Sequence, residues 1–186
     1  MEEQTMEVQT VEEQTTGCLV CGAPLEYLQS QIEMECTYCH KTFMSNARCM
    51  NGHFICDSCH EQMGLRVIED ICRHTDSKDP VAIMKKIILS PYIYMHGPEH
   101  HVLVGSALLA AYKNAGGELD LDAALEEMRN RGAQVPGGIC GLWGTCGAAV
   151  STGIFVSLIT GASPLSGKEW GLCNEMTSRS LGAIAK

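Results

Sequence analysis

Several familiar chemistries are missing from this sequence of 186 residues. It contains no Walker-type phosphate loop, no GxGxxG leading from a strand into a helix, no GxSxG and no HExxH. Those absences remove the common nucleotide-binding, hydrolase and metalloprotease signatures. Clusters of positive charge are also missing: the thirteen Lys and Arg residues are scattered, Lys85-Lys86 is the one adjacent pair, and the net charge is −9. Sequence-independent binding to nucleic acid needs clustered cations that displace counterions from phosphates, so a nucleic-acid partner is not expected. The chain opens MEEQTMEVQTVEEQTT, without the charged start, apolar stretch and small-residue cleavage site of a secretory signal. A cytoplasmic location is the expectation.

Charge is absent altogether from Gly132 to Gly167, and the segment from Ile139 to Thr160 has the length to cross a hydrocarbon core of about 30 Å. The same run carries Thr145, Ser151, Thr152, Ser157, Thr160 and several glycines. Small and hydroxyl-bearing residues in an apolar run also describe a central helix buried on all sides, and a membrane span is the lesser expectation.

What the sequence has in abundance is cysteine. Eight of eleven fall between Cys18 and Cys72, leaving Cys140, Cys146 and Cys173 in a Gly-rich second half. An odd total in a reducing compartment fits metal ligation or redox chemistry better than structural disulfides. Cys18-x2-Cys21 and Cys36-x2-Cys39 are separated by 14 residues, and the run CMNGHFICDSC adds Cys49, His53, Cys56 and Cys59. A Cys-x2-Cys turn bends the backbone so that two thiolates converge on one ion, and two such pairs complete a tetrahedral zinc shell. Eight ligands for two zinc ions are therefore expected. The intervening PLEYLQSQIEME holds alternating runs at Leu25–Leu28 and Ile32–Glu35 around Gln29-Ser30-Gln31, a hairpin pattern. That hairpin favours sequential pairing, with the first four ligands in one site and the last four in another. The alternative cross-brace joins Cys18 and Cys21 with Cys49 and His53, and Cys36 and Cys39 with Cys56 and Cys59. His40 and His60, which follow ligand cysteines, read as solvated neighbours, although His60 offers a substitute for His53. Cys72 reads as an ordinary buried cysteine.

The fold class expected is α+β and mostly α: a small zinc-ribbon or treble-clef head followed by an all-α helical bundle. Residues 1–16 read as a disordered acidic tail, 17–62 as the two-zinc head, 63–91 as connecting helices and 92–186 as the helical domain. A helix after Cys56 places Met63, Val67 and Ile71 on one stripe, with Asp57 or Ser58 as its cap. Asp79-Pro80 opens a second helix with the stripe Val81, Met84, Ile87 and Ile88. Pro98 opens a third that closes at Gly116-Gly117; a fourth runs from Asp120 to Arg131, and a last short one covers Asn174–Ala185.

In the second half, His96, His100, His101, Cys140, Cys146 and Cys173 all sit beside Gly or Pro turns. Such helix ends can bring distant ligands together, giving a third metal or an iron–sulfur cluster, or a dithiol with one nucleophilic and one resolving sulfur. Cys140, Cys146 and Cys173 are the candidate catalytic thiols, and the three histidines are the candidate cofactor ligands. Packing inside a Gly/Ala-rich helix is the plainer reading of the cysteines. Glu99, Glu169, Glu175 and Arg179 read as surface charges or helix-end partners.

The run GGICGLWGTCGAAVSTGIFVSLITG, with Cys173 after it, resembles the C-GCAxxG-C-C family of small helical proteins, whose cysteines imply redox or cluster-binding roles. Where that family has an early cysteine opening its first helix, this chain has GPEHH, which points to a mixed His/Cys site. The whole layout, a cysteine-rich head followed by MHGPEHH and ICGLWGTCGAAVSTGI, resembles an uncharacterised domain-of-unknown-function family of anaerobic microbes. The functional expectation is a metalloprotein with a structural head and a Cys/His site for redox, sulfur or metal transfer. The rival is a non-enzymatic adaptor whose zinc-ribbon head binds a protein or nucleic-acid partner and whose helical half is a scaffold or homodimer interface.

Overall fold

The computed structural model describes residues 17–94 and 97–186; the expected acidic tail and His96 lie outside the described residues. The chain begins with a two-stranded antiparallel sheet, β1 (Leu25–Glu35) and β2 (Thr42–Cys49). Its register runs from Leu25 opposite Cys49 to Glu35 opposite Thr42, with an irregularity between Tyr27 and Ile32. The turn expected at Gln29-Ser30-Gln31 is corrected: that polar triplet falls in the irregularity of one continuous strand, and the chain reverses at Cys36–Cys39 instead. A polar interruption between alternating runs reads alike as a turn or a bulge. The cysteine knuckle already supplies the tight reversal.

Seven helices follow among the described residues: α1 (Asp57–His74), α2 (Pro80–Ile88), α3 (His100–Asn114), α4 (Leu121–Gly132), α5 (Ile139–Leu142), α6 (Gly147–Thr160) and α7 (Lys168–Ile184). The protein is thus mostly helical with one small sheet. Capping signals in the sequence mark two helix starts well. Asp79 Oδ1 accepts the Val81 N–H at 2.9 Å, and Asp120 Oδ1 accepts the Ala123 N–H at 3.1 Å. The cap of α1 is Cys56 rather than Asp57 or Ser58.

Two predicted stripes are rotated. On α1 the buried face is His60, Gly64, Leu65, Ile68 and Cys72, not Met63, Val67 and Ile71. Gly64 sets this face: a Cβ there would stand 2.9 Å from the Tyr92 carbonyl oxygen, so the close approach of the next segment is made at that position. On α2, Ile83 and Ile87 are buried while Val81 and Ile88 are exposed, because its contact is confined to the side that meets α1 and α3. The last helix starts six residues earlier than expected, at Lys168, and lies against α6 without a fully buried residue.

α3 is the centre of the helical region and packs on α1, α2, α4 and α6. Its Gly105, Ser106, Ala107, Ala110 and Ala111 are buried alongside Val102, Leu103 and Leu109. Small residues let neighbouring backbones come close: the Gly105 N–H donates to Ser151 Oγ on α6 at 2.8 Å. The core also takes Leu65, Ile68 and Cys72 from α1, Ile83 and Ile87 from α2, and Leu125 and Met128 from α4. Residues 63–91, expected as connectors, are therefore core-forming.

The uncharged run does not form one long helix. Trp143, Gly144 and Thr145 separate α5 from α6, with Gly144 at φ 66°. The 14 residues of α6 rise by about 21 Å, short of a hydrocarbon core of about 30 Å. Among the described residues, no helix is long and apolar enough to cross a membrane.

Candidate metal centre

The head is built from a repeated backbone device. In the first knuckle the Gly22 N–H donates to the Cys18 carbonyl at 2.7 Å, the Cys18 N–H donates to Ala23 O at 2.8 Å, and Gly22 has φ 71°. The second repeats it: His40 N–H to Cys36 O at 2.9 Å, Cys36 N–H to Lys41 O at 2.9 Å, and His40 at φ 56°. A third version runs from Cys49 to His53, with Gly52 at φ 82° and its N–H on Cys49 O at 2.7 Å. Each reversal turns a cysteine sulfur into a shared space. His40 occupies the left-handed position that glycine fills in the other two, and its ring lies in solvent, paired with Glu35 at 2.8 Å.

Two groups of donors result: Cys18, Cys21, Cys49 and His53, and Cys36, Cys39, Cys56 and Cys59, with all four ligand atoms of each group within 4.8 Å of one another. This is the cross-brace, and the sequential pairing favoured by the sequence is overturned. The register explains it. Cys49 ends β2 opposite Leu25, beside the Cys18–Cys21 knuckle, whereas the Cys36–Cys39 knuckle lies past Glu35 at the other end of the ladder. The chain then returns along that ladder, with the Thr37 N–H on Phe54 O at 2.8 Å, and brings Cys56 and Cys59 to the second knuckle.

The donor spacing fits a tetrahedral ion. Four sulfurs about 2.3 Å from zinc stand about 3.8 Å apart, and a sulfur and an imidazole nitrogen stand about 3.5 Å apart. Cys21 and Cys49 sulfurs are 3.9 Å apart, and Cys39 and Cys56 sulfurs 3.8 Å. His53 Nδ1 is 3.3 Å from Cys21, 3.5 Å from Cys49 and 3.9 Å from Cys18. The residues therefore fit a metal ion in each group, with His53 offering Nδ1.

Amide donors favour thiolates here. The Val20 N–H points at Cys18 Sγ (3.4 Å), the His53 N–H at Cys49 Sγ (3.3 Å) and the Cys56 N–H at Cys36 Sγ (3.3 Å), and Asn51 Nδ2 donates to Cys21 Sγ at 3.4 Å. The Ala23 N–H, then Asn51, lower the Cys21 pKa to about 6. Burial works against ionisation of Cys36, but the N–H groups of Cys56, Cys39 and Tyr38 outweigh it and bring that thiol to about 6 as well. Cys59 shows the opposite effect, pushed up to about 12 by burial and by crowding against the other three sulfurs. A cation at the centre removes that penalty.

His60 is neither a ligand nor solvated. It is 4% exposed, stacks on Tyr94 with ring centroids 3.7 Å apart, and its Nε2 has no partner among the described residues. Burial lowers its pKa. Glu99 is likewise no surface charge: it is 1% exposed, and its Oε1 accepts the Tyr94 N–H at 2.9 Å. The adjacency of His60 to a metal-binding cysteine hid its role, because periodicity does not show which face a helix will turn to its neighbour.

Among the described residues, the candidates of the second half do not gather into one site. Cys140 is exposed on α5, Cys146 caps the start of α6, and Cys173 is half-buried on α7 beside a shallow open groove that Arg131, Ile154, Ser157 and Thr177 also line. His100 Nε2 lies 2.7 Å from the Tyr94 carbonyl. His101 Nδ1 donates to Val135 O at 3.1 Å, and its ring packs on Gly147, where a Cβ would collide with it. Among the described residues, no third group of three potential ligands forms. Cys72 is buried, and burial pushes its thiol up to about 12. Alkylation of the native protein with iodoacetamide near pH 8 is expected to modify exposed Cys140 and spare Cys72 until denaturant is added. Peptide mass spectrometry reads both, and equal labelling would contradict the packing described.

The family model of a family of unknown function, DUF5714, matches residues 68–186. The chain belongs to that family. The match starts within α1 and covers the remaining helices, so both metal groups lie before it. No curated protein and no solved structure matches the chain.

Proposed function

We propose that this is a zinc protein whose head is a structural two-zinc module that presents a docking surface for a protein partner, joined to the family's helical domain. The observation that carries the reading is the pair of closed donor sets. Each has four soft or borderline ligands at tetrahedral spacing, and none of the four positions is left for water or substrate. Three thiolates with an imidazole, and four thiolates, suit zinc, and a closed shell suits a structural role. Apolar side chains on the outside of the head, including Tyr27, Met44, Met50 and Leu25, support protein docking, as does a net charge that disfavours nucleic acid.

The test is metal content of the anaerobically purified full chain. Two zinc ions per chain are expected, and Cys36→Ser and Cys49→Ser should each lose one. In cobalt-substituted protein, Cys36 and Cys56 variants should remove the spectrum of the all-sulfur site, and Cys49 and His53 variants that of the mixed site. Iron as the bound metal, or a chain that binds none, would overturn the reading.

A second reading is thiol chemistry at Cys146. His101 favours it: a carbonyl accepts from Nδ1, so that nitrogen carries a proton, and Nε2 lies beside the first residue of α6. Cys146 stands at the positive end of the same helix. On this reading Cys146 reacts faster than the more exposed Cys140, and His101→Ala removes the difference. Slower reaction at Cys146 in the wild type would end it.

A further inference from the structure

The two metal groups have unequal connections to the rest of the protein. The second group touches the helical domain at the turn before α3. Cys59 is a ligand, and the next residue, His60, stacks parallel on Tyr94 at a centroid distance of 3.7 Å. Tyr94 is held in turn by its N–H on the buried Glu99 carboxylate, and its carbonyl lies 2.7 Å from His100 Nε2. One turn along α1, Gly64 packs against the Tyr92 carbonyl, while Ile93 between the two tyrosines is buried in the core. The segment Tyr92–Tyr94 is thus fastened to the helical core by its middle residue and to the neighbourhood of the second group by its tyrosines. From the first group, no hydrogen bond or ring stack among the described residues reaches the helices.

Building on the zinc reading, we infer that occupancy of the Cys36, Cys39, Cys56 and Cys59 site, and not of the other, controls the order of residues 92–94 and 97–101 through the His60–Tyr94 stack. Cys59 lies in the first turn of α1, and a bound ion fixes that turn by joining it to the Cys36–Cys39 knuckle. With the turn fixed, His60 is aimed at Tyr94. Releasing the ion frees the first turn of α1, where fraying costs least, and the stack loses its anchored side. The consequence reaches His100 and His101, which begin α3 directly after Glu99. The two ions then have separate duties: one shapes the outer head, and the other fastens the head to the start of the central helix.

Amide exchange by mass spectrometry on the full chain tests this, with metal content measured on each sample. In Cys39→Ser, one ion is lost and amides of residues 92–94 and 97–101 are expected to exchange at least about tenfold faster. In Cys21→Ser, one ion is also lost, but exchange at those amides stays at the wild-type rate. His60→Ala should keep both ions yet speed exchange at 92–94 and 97–101, and His60→Phe, which preserves a stacking ring, should restore protection. Equal exchange in the two cysteine variants with two ions in the wild type, or full protection in His60→Ala, overturns the inference alone. A wild-type chain without metal overturns the zinc reading and the inference together.

Discussion

Stripping metal from the full chain is expected to unfold the head and leave the helical domain standing. Among the described residues before α1, the buried apolar side chains are Cys18, Met34, Cys36, Cys49 and Cys56, and four of those five are proposed ligands. Met34 alone is not a core. A segment of this size without metal or disulfide cannot bury enough surface to offset its conformational entropy. Structural zinc supplies about 10–16 kcal/mol to zinc-finger peptides at neutral pH, which is folding free energy because the site does not exist in the open chain. The helical core needs none of it: Ile68, Ile83, Ile87, Leu103, Leu109, Leu125 and Met128 are fully buried and belong to α1–α4. A strong chelator should therefore abolish amide protection in β1 and β2, leave most helical signal in circular dichroism, and be reversed by zinc. Persistent protection of β1 and β2 after complete metal removal would show that the head has another source of stability.

The other large effect concerns Gly105. Alanine at a helical glycine ordinarily stabilises by about 0.5–1 kcal/mol, through lower backbone entropy in the unfolded chain. At Gly105 the added methyl would collide with the Met128 side chain and stand 2.9 Å from the Ser151 carbonyl oxygen. Met128 is fully buried, and the Ser151 carbonyl is backbone that cannot swing aside as a side-chain end can. Gly105→Ala is expected to destabilise by about 1–3 kcal/mol through overpacking between α3, α4 and α6. Gly182→Ala on α7, where a Cβ meets nothing within 4 Å, is the matched control and should have the opposite sign. Urea unfolding of the two variants decides it. A stabilising Gly105→Ala would mean that α3 and α6 do not approach as described.

How much of this could be read from sequence depended on the kind of signal. Asp79-Pro80 and Asp120 marked helix starts because a cap acts within its own turn. The eight cysteine and histidine donors of the head were visible as spacing, since convergence within Cys-x2-Cys is local. Their division into two groups was not. It depends on strand register, which is set by the bulge after Tyr27, and no local pattern separates that bulge from a turn. His60 and Glu99 were misread for a related reason: a lone polar residue carries no mark of burial until its neighbours are known. The resemblance to a family of unknown function held for the helical portion.

α1 begins among the second group of sulfurs and ends in the helical core without a break, and the family match starts partway along it. It behaves as a shaft with a fitting at each end, and its length sets the angle between them. One residue added between His60 and Leu65 would advance the shaft by about 1.5 Å and turn it by about 100°. His60 would then miss Tyr94 while every ligand and every core residue was still present. Any chain that joins this head to this helical domain is thereby held to a fixed phase, so the spacing from Cys59 to Leu65 is as much a part of the architecture as the cysteines themselves.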